Sequence, residues 1–99
     1  FNQALRIEPN FADAYINRGL THSTWGNISD AIANFMQAIP LDPDIEASYY
    51  HLAKALERNE ENKAALSNYQ KYLYFSKGIQ YGNQESAKEA IQKLRKKIR

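Results

Sequence analysis

Residues 27–44 read NISDAIANFMQAIPLDPD, and this stretch decides the fold. Ala31, Phe35 and Ala38 recur at intervals of four and three, which places them on one face of a helix. Asn27, followed by Asp30, offers side-chain oxygens that can tie down the first free amides. The Asp42-Pro43-Asp44 turn closes the segment. The spacing predicts a helix over 28–41, with Pro40 in its last turn, where a ring without an amide should end or bend it early.

Working outward, Pro9-Asn10, Gly26-Asn27, Asn59 and Gly82-Asn83 supply further turns or caps. They predict helices near 1–8, 11–25, 45–58, 62–77 and 84–98. Shifting the chain by 34 residues superposes Phe1, Phe35 and Tyr69, and also Gln3 with Gln37 and Ala4 with Ala38. Pro9 falls on Pro43, Tyr15 on Tyr49, Ala31 on Ala65 and Asn34 on Asn68, while Leu5, Ile39 and Leu73 keep one slot apolar. A period of this size signals stacked helix pairs. The expected fold is therefore all-α, an α-solenoid of antiparallel helix pairs.

The offsets resemble the tetratricopeptide repeat, in which an aromatic, Leu-Gly, Tyr, Ala, Phe and Pro stand at fixed positions. Tyr15, Gly19, Ala31, Phe35, Ala38 and Pro43 occupy the matching slots of one unit, and Tyr49, Leu52, Ala53, Ala65 and Tyr69 those of the next. Gly19, Ala31, Ala38, Ala53 and Ala65 are small where helix axes must approach, and the aromatic rings fill the space between. The resemblance implies a right-handed superhelix. It divides the chain into the second helix of a truncated repeat (1–10), a complete repeat (11–44), a divergent repeat (45–78) and a C-terminal capping helix (83–99).

Departures mark where the pattern weakens. Arg18 stands where Leu is usual and His22 where Tyr is usual, which predicts a partly wet face. Tyr72 replaces a small residue, Lys77 replaces the proline, and a Gly78–Gly82 loop follows. The last helix has one apolar stripe, Ala87, Ile91, Leu94 and Ile98, on an otherwise charged surface, as suits a helix that covers a final repeat and faces water.

The composition, 43% hydrophobic and 24% charged, fits one ordinary globular segment. The net charge of +2 is unevenly placed: residues 1–84 carry seven Lys/Arg and nine Asp/Glu, whereas 85–99 carry six and two. There is no cysteine, which excludes disulfides and thiolate metal ligands. The composition assigns no compartment, with the cytoplasm as the default. The opening at Phe1 in mid-pattern reads as a fragment, in which Phe1, Ala4, Leu5 and Ile7 form an under-covered edge open to self-association.

The resemblance implies a protein-interaction scaffold, with a peptide or partner helix held in the concave groove lined by the first helix of each repeat. Carried over slot by slot, that groove presents Asp13, Ile16, Asn17, Leu20 and Thr24, then Ala47, Tyr50, His51, Lys54 and Arg58. The spacing of Asp13, Ile16, Asn17 and Leu20 does place them on one helix face. Asn17 sits where chaperone-binding relatives carry an Asn of their carboxylate clamp, and its amide can both donate and accept. Ala47 and His51 stand where those relatives carry Lys and Arg, which argues against capture of a C-terminal carboxylate. Tyr50 is the candidate exposed aromatic anchor, Tyr49 a core ring, and Trp25 a cover over the end of its helix pair.

The rival binding element is the basic tail, Lys93, Arg95, Lys96, Lys97 and Arg99, whose cations could meet nucleic-acid phosphates or acidic lipids. Cations in a last helical turn also complement the helix dipole, and no aromatic interleaves for base stacking, so nucleic acid and membrane are both disfavoured as partners. His22 and His51 lie on separate predicted helices without metal-site spacing, which argues against a metal centre. No phosphate loop or nucleophile motif occurs, and Glu60-Glu61 reads as helix-start electrostatics. The expectation is a binding module, not an enzyme, with no cofactor and with an unidentified protein or peptide as partner.

Overall fold

The computed structural model describes residues 11–77 and 82–98, and among these it contains five helices and no strand. They are α1 (Phe11–Thr24), α2 (Ile28–Leu41), α3 (Glu46–Arg58), α4 (Asn62–Phe75) and α5 (Gln84–Ile98). α1 pairs with α2 and α3 with α4, the pairs meet through α2 against α3, α1 touches α3, and α5 packs on α4. The fold is thus an all-α solenoid of stacked helix pairs. The helix expected over 1–8, with its edge residues Phe1, Ala4, Leu5 and Ile7, lies outside the described residues.

The two helix pairs turn in the same way. Gly26 has φ 85°. Behind it the Asn27 amide donates to the His22 carbonyl at 2.8 Å and the Gly26 amide to the Ser23 carbonyl at 3.1 Å. This left-handed cap satisfies carbonyls that the helix end leaves free. Glu60 lies 34 residues further on and has φ 61°. Around it the Glu61 amide donates to Leu56 at 2.9 Å and the Glu60 amide to Glu57 at 3.0 Å. The same turn is therefore built once with glycine and once with a residue whose Cβ opposes it. The sequence reading of Glu60-Glu61 as helix-start charge missed this backbone role.

Between α1 and α2 the critical contact is Gly19 against Phe35. A Cβ on Gly19 would lie 2.6 Å from Phe35 Cε1, so only glycine lets the ring seat there. Ala31, Ala38, Ala53 and Ala65 are fully buried around this level and the next, as their smallness predicts. Rings then fill the remaining space: Tyr49 stacks on Phe75 with centroids 5.0 Å apart, and Tyr50 meets Tyr69 at 6.0 Å and Tyr72 at 5.2 Å. Tyr49 and Tyr69 keep polar partners for their phenols. The Tyr49 hydroxyl donates to the Pro43 carbonyl at 3.1 Å, and Tyr69 donates to Glu57 Oε1 at 2.7 Å. Ser48 Oγ is buried without a hydrogen-bond partner among the described residues.

α5 buries Ala87, Ile91 and Leu94 and leaves the cations of its other face in water. Its start is tied to α4 by the Asn83 amide, which donates to the Tyr72 hydroxyl at 2.7 Å. Tyr72 thus brings a buried ring and a hydrogen-bond acceptor to a slot where α2 has the methyl of Ala38.

Three local expectations are corrected. Pro40 does not end α2 early: the helix runs through it to Leu41, because so near the terminus the ring forfeits a single amide bond and the Asp42 amide still reaches Ala38 at 3.1 Å. Asn27 occupies the N-cap position of α2, but its side chain makes no capping bond. Trp25 is not a cover over the end of its pair among the described residues; it is 76% exposed, next to the left-handed turn at Gly26.

Gly19→Ala is expected to destabilise the chain by roughly 1–3 kcal/mol through overpacking against Phe35, outweighing alanine's better helix propensity. Thermal unfolding followed by circular dichroism should show the melting point fall. Glu60→Gly should move it upward, by roughly 0.5–1 kcal/mol of stability, since the left-handed backbone at 60 then carries no Cβ strain. An unchanged or lower melting point for Glu60→Gly would mean that the strain at this turn is absent.

Candidate functional site

α1 and α3, the first helices of the two pairs, face each other across a cleft of about 380 Å³. Leu20, Ser23 and Thr24 line it from α1. Tyr50, His51, Lys54 and Arg58 line it from α3, with Phe35 as its floor. Six of the sequence-derived groove residues meet here: Leu20, Thr24, Tyr50, His51, Lys54 and Arg58. Asp13, Ile16 and Asn17 do not line this cleft, because they lie earlier on α1. Asp13 and Asn17 are exposed there, and Ile16 is in the core.

Tyr50 requires a correction. It is 8% exposed, and its ring belongs to the cluster with Tyr69 and Tyr72, so it is not the exposed anchor expected from the sequence. Tyr49 and Tyr50 were expected to point apart. Both are buried because α3 is covered by α2 on one side and by α4 on another.

The floor is built by stacking. His51 lies over Phe35 with ring centroids 5.8 Å apart and an interplanar angle of 21°, and it meets the edge of Tyr50 at 5.9 Å. Burial lowers the His51 pKa, and the neighbouring ammonium of Lys54 lowers it further, so the imidazole is neutral at neutral pH. Burial likewise raises the Tyr69 phenol, with its hydrogen bond to Glu57 adding to the effect. His51 therefore works as a flat aromatic surface in the groove floor.

The far end is closed by Arg58. Its Nη1 donates to the Ser23 carbonyl at 3.1 Å and to Ser23 Oγ at 3.0 Å, a link between α3 and the last turn of α1. The carbonyl end of a helix favours a cation at that place. One turn earlier, Lys54 Nζ sits 5.5 Å from the Tyr50 ring centroid, a cation–π arrangement. Among the described residues neither cation has a carboxylate within ion-pair distance. Ser23 and Phe35 were missed by slot-by-slot reading. Phe35 belongs to the core pattern of the second helix, and nothing in that pattern signals that its ring also shows at the groove floor.

A second cleft of about 380 Å³ continues past Tyr50 and Lys54 to Glu57 and Tyr69, then to Ser86, Glu89, Ala90 and Lys93 of α5. Lys93 thus opens toward α3, while Arg95 lines a separate hollow with Gln70 and Leu73 of α4. Lys96 and Lys97 are exposed, and Arg99 lies outside the described residues. Lys93 and Arg95 therefore lie on different faces of α5, while Lys96 and Lys97, three and four residues after Lys93, fall on its side of the helix. Among the described residues no group of three His, Cys, Asp or Glu is placed to hold a metal ion, and no helix is long and apolar enough to cross a membrane.

With this geometry in view, residues 2–99 match the sequence profile of BTAD, the bacterial transcriptional activator domain. Over 78 residues the chain is 31% identical to the Protein SGT1 homolog of Oryza sativa subsp. japonica, a match covering 79% of this chain and 21% of that protein. The chain therefore spans about a fifth of the length of this curated relative.

Unfolding against pH should expose His51. A histidine with a lowered pKa in the folded state binds its proton more tightly when unfolded, so stability falls as pH drops through the ordinary value of 6.5 toward the lowered folded value. The melting point is expected to fall between about pH 7.5 and pH 5, and to fall less in His51→Gln. Equal slopes for the two proteins would remove the imidazole from the account.

Proposed function

The chain belongs to the bacterial transcriptional activator domain family, and from that premise we propose that it is a protein-interaction module that performs no catalysis of its own. It holds a peptide or a partner helix in the groove between α1 and α3. The repeat is read as tetratricopeptide type. The 34-residue register supports this, since it recurs in the left-handed turns at Gly26 and Glu60 as well as in the residues.

One observation carries the binding reading: an open cleft with an apolar floor of Phe35, Tyr50 and Leu20 stands beside Lys54 and Arg58, two cations with no carboxylate partner among the described residues. Sites of this make-up bury a ligand's side chain on the floor and fix its orientation through the rim. The rival surface, the basic tail, opens Lys93 into a hollow shared with Glu57 and Glu89, carboxylates that oppose a phosphate backbone there.

Selection from a displayed random-peptide library tests the proposal with three proteins of equal helicity. They are the unmodified chain, Leu20→Asp with Thr24→Ala, and a tail variant with Arg95, Lys96 and Lys97 changed to Gln. Peptides enriched by the unmodified chain should bind the tail variant equally and the groove variant about tenfold or more weakly, as for loss of a central contact. Enriched peptides that ignore the groove change, or ligands lost only with the tail change, would sink the groove assignment.

A further inference from the structure

We propose that the occupant of this groove is an acidic segment of a partner protein, with one apolar side chain close to its carboxylates; this rests on the groove being the binding surface. Of the residues lining the cleft between α1 and α3, Lys54 and Arg58 are charged and both are positive. Among the described residues no Asp or Glu lines it. His51 adds no charge at neutral pH, because burial keeps its imidazole unprotonated.

Both cations have capacity left for a ligand. Arg58 spends Nη1 on Ser23, and among the described residues its Nε and Nη2 make no bond, which leaves an edge of the guanidinium for a carboxylate. Lys54 is exposed, and its ammonium rests only over the Tyr50 ring. The two stand four residues apart on α3, one turn of one face, so carboxylates one helical turn apart or on alternate residues of an extended segment can reach both. Beside them, Leu20 and the stacked Phe35 and His51 rings offer burial to a single apolar side chain.

Charge also sets the direction of the segment. Past Lys54 the second cleft adds Lys93 but also Glu57 and Glu89, so its charge is balanced and the acidic stretch belongs at the Arg58 end. A protein segment fits better than a nucleic acid. Phosphates bring nothing to cover Leu20, whereas an apolar side chain of a protein segment does.

The test uses fluorescence anisotropy with short, amidated, dye-labelled peptides: one with a Phe flanked by Asp and Glu, one with Asn and Gln in their place, and one with Ala for Phe. An oligothymidylate serves as a non-peptide anion. The unmodified 99-residue chain should bind the acidic Phe peptide best, and more weakly as salt rises. Affinity should drop by roughly five- to tenfold with Lys54→Gln plus Arg58→Gln, since exposed charge pairs each contribute modestly. Lys54→Gln alone, which leaves the Arg58–Ser23 link intact, should show a smaller loss at an unchanged melting point. The tail variant should bind as the unmodified chain does. The proposal is overturned if the amide peptide binds as well as the acidic one, if neither binds, or if acidic preference survives the α3 changes. It is overturned equally if oligothymidylate competes as strongly as the acidic peptide. Library peptides that need Leu20 but carry no acidic residues would overturn this inference and leave the groove reading standing, whereas enriched peptides indifferent to Leu20 would remove both.

Discussion

The approach of the Phe35 ring to the bare backbone of Gly19 is the contact on which the remaining architecture depends. It sets how closely α1 and α2 cross. The same ring then supports His51 from the other side, so one side chain spaces the first pair and also fixes where α3 stacks upon it. Because Phe35 is fully buried yet reaches the cleft floor, the depth of the groove is a consequence of core packing. A scaffold built this way cannot deepen its groove without loosening its core, since close-packed interiors transmit volume changes to their neighbours.

In the second pair the same slots are filled differently. Ala53 stands where α1 has Gly19, and Tyr69 where α2 has Phe35, with the phenol reaching Glu57 across the pair. Tyr72 stands where α2 has Ala38, and its hydroxyl holds the start of α5. Small residues thus stand at the crossings of both pairs, and in the second a ring cluster of Tyr50, Tyr69 and Tyr72 is added to Ala53 and Ala65. Tyr69 and Tyr72 keep hydrogen bonds through their hydroxyls, which offsets the cost of burying them. Divergence from the repeat is therefore a change of packing material, and the architecture persists.

Much of this was legible in the sequence because it follows from periodicity. The apolar slots of 28–41 and 84–98 give those helices their observed bounds, and Gly19, Ala31, Phe35, Ala38, Tyr49, Ala53, Ala65 and Tyr69 of the register are buried. What was not legible depends on side-chain direction and on backbone conformation at single residues. Trp25 reads as a covering ring but stands exposed next to the left-handed Gly26, and nothing in the composition marks Glu60 as left-handed. Tyr50 stands one residue beyond a core position, which suggests exposure on a helix covered along one side. α3 is covered by both neighbours, and its buried arc widens to include Tyr49 and Tyr50 together. For the candidate site, slot transfer found Leu20 and Thr24 of α1 and the four residues of α3 but neither Ser23 nor Phe35, and for Phe35 the slot that makes it a core residue is silent about which edge of the ring faces the cleft.

The groove's shape and its charge have separate origins. Core packing uses Tyr49, Leu52, Ala53 and Leu56 on α3, and these residues keep the helix in place. Lys54 and Arg58 fall between them on the same helix and are exposed. Lys54 contributes to the fold through a cation–π contact alone, and Arg58 through hydrogen bonds to the end of α1. Interactions of this exposed kind contribute little to stability compared with the burial of a ring. The charge of the groove can therefore change by substitution at 54 and 58 while Phe35, Gly19 and the tyrosine cluster stay fixed. A family sharing this frame can accordingly differ in what it binds, and resemblance in the core is no guide to the sign of the groove. The sign has to be read from the exposed residues themselves, and in this chain those at the Arg58 end are positive.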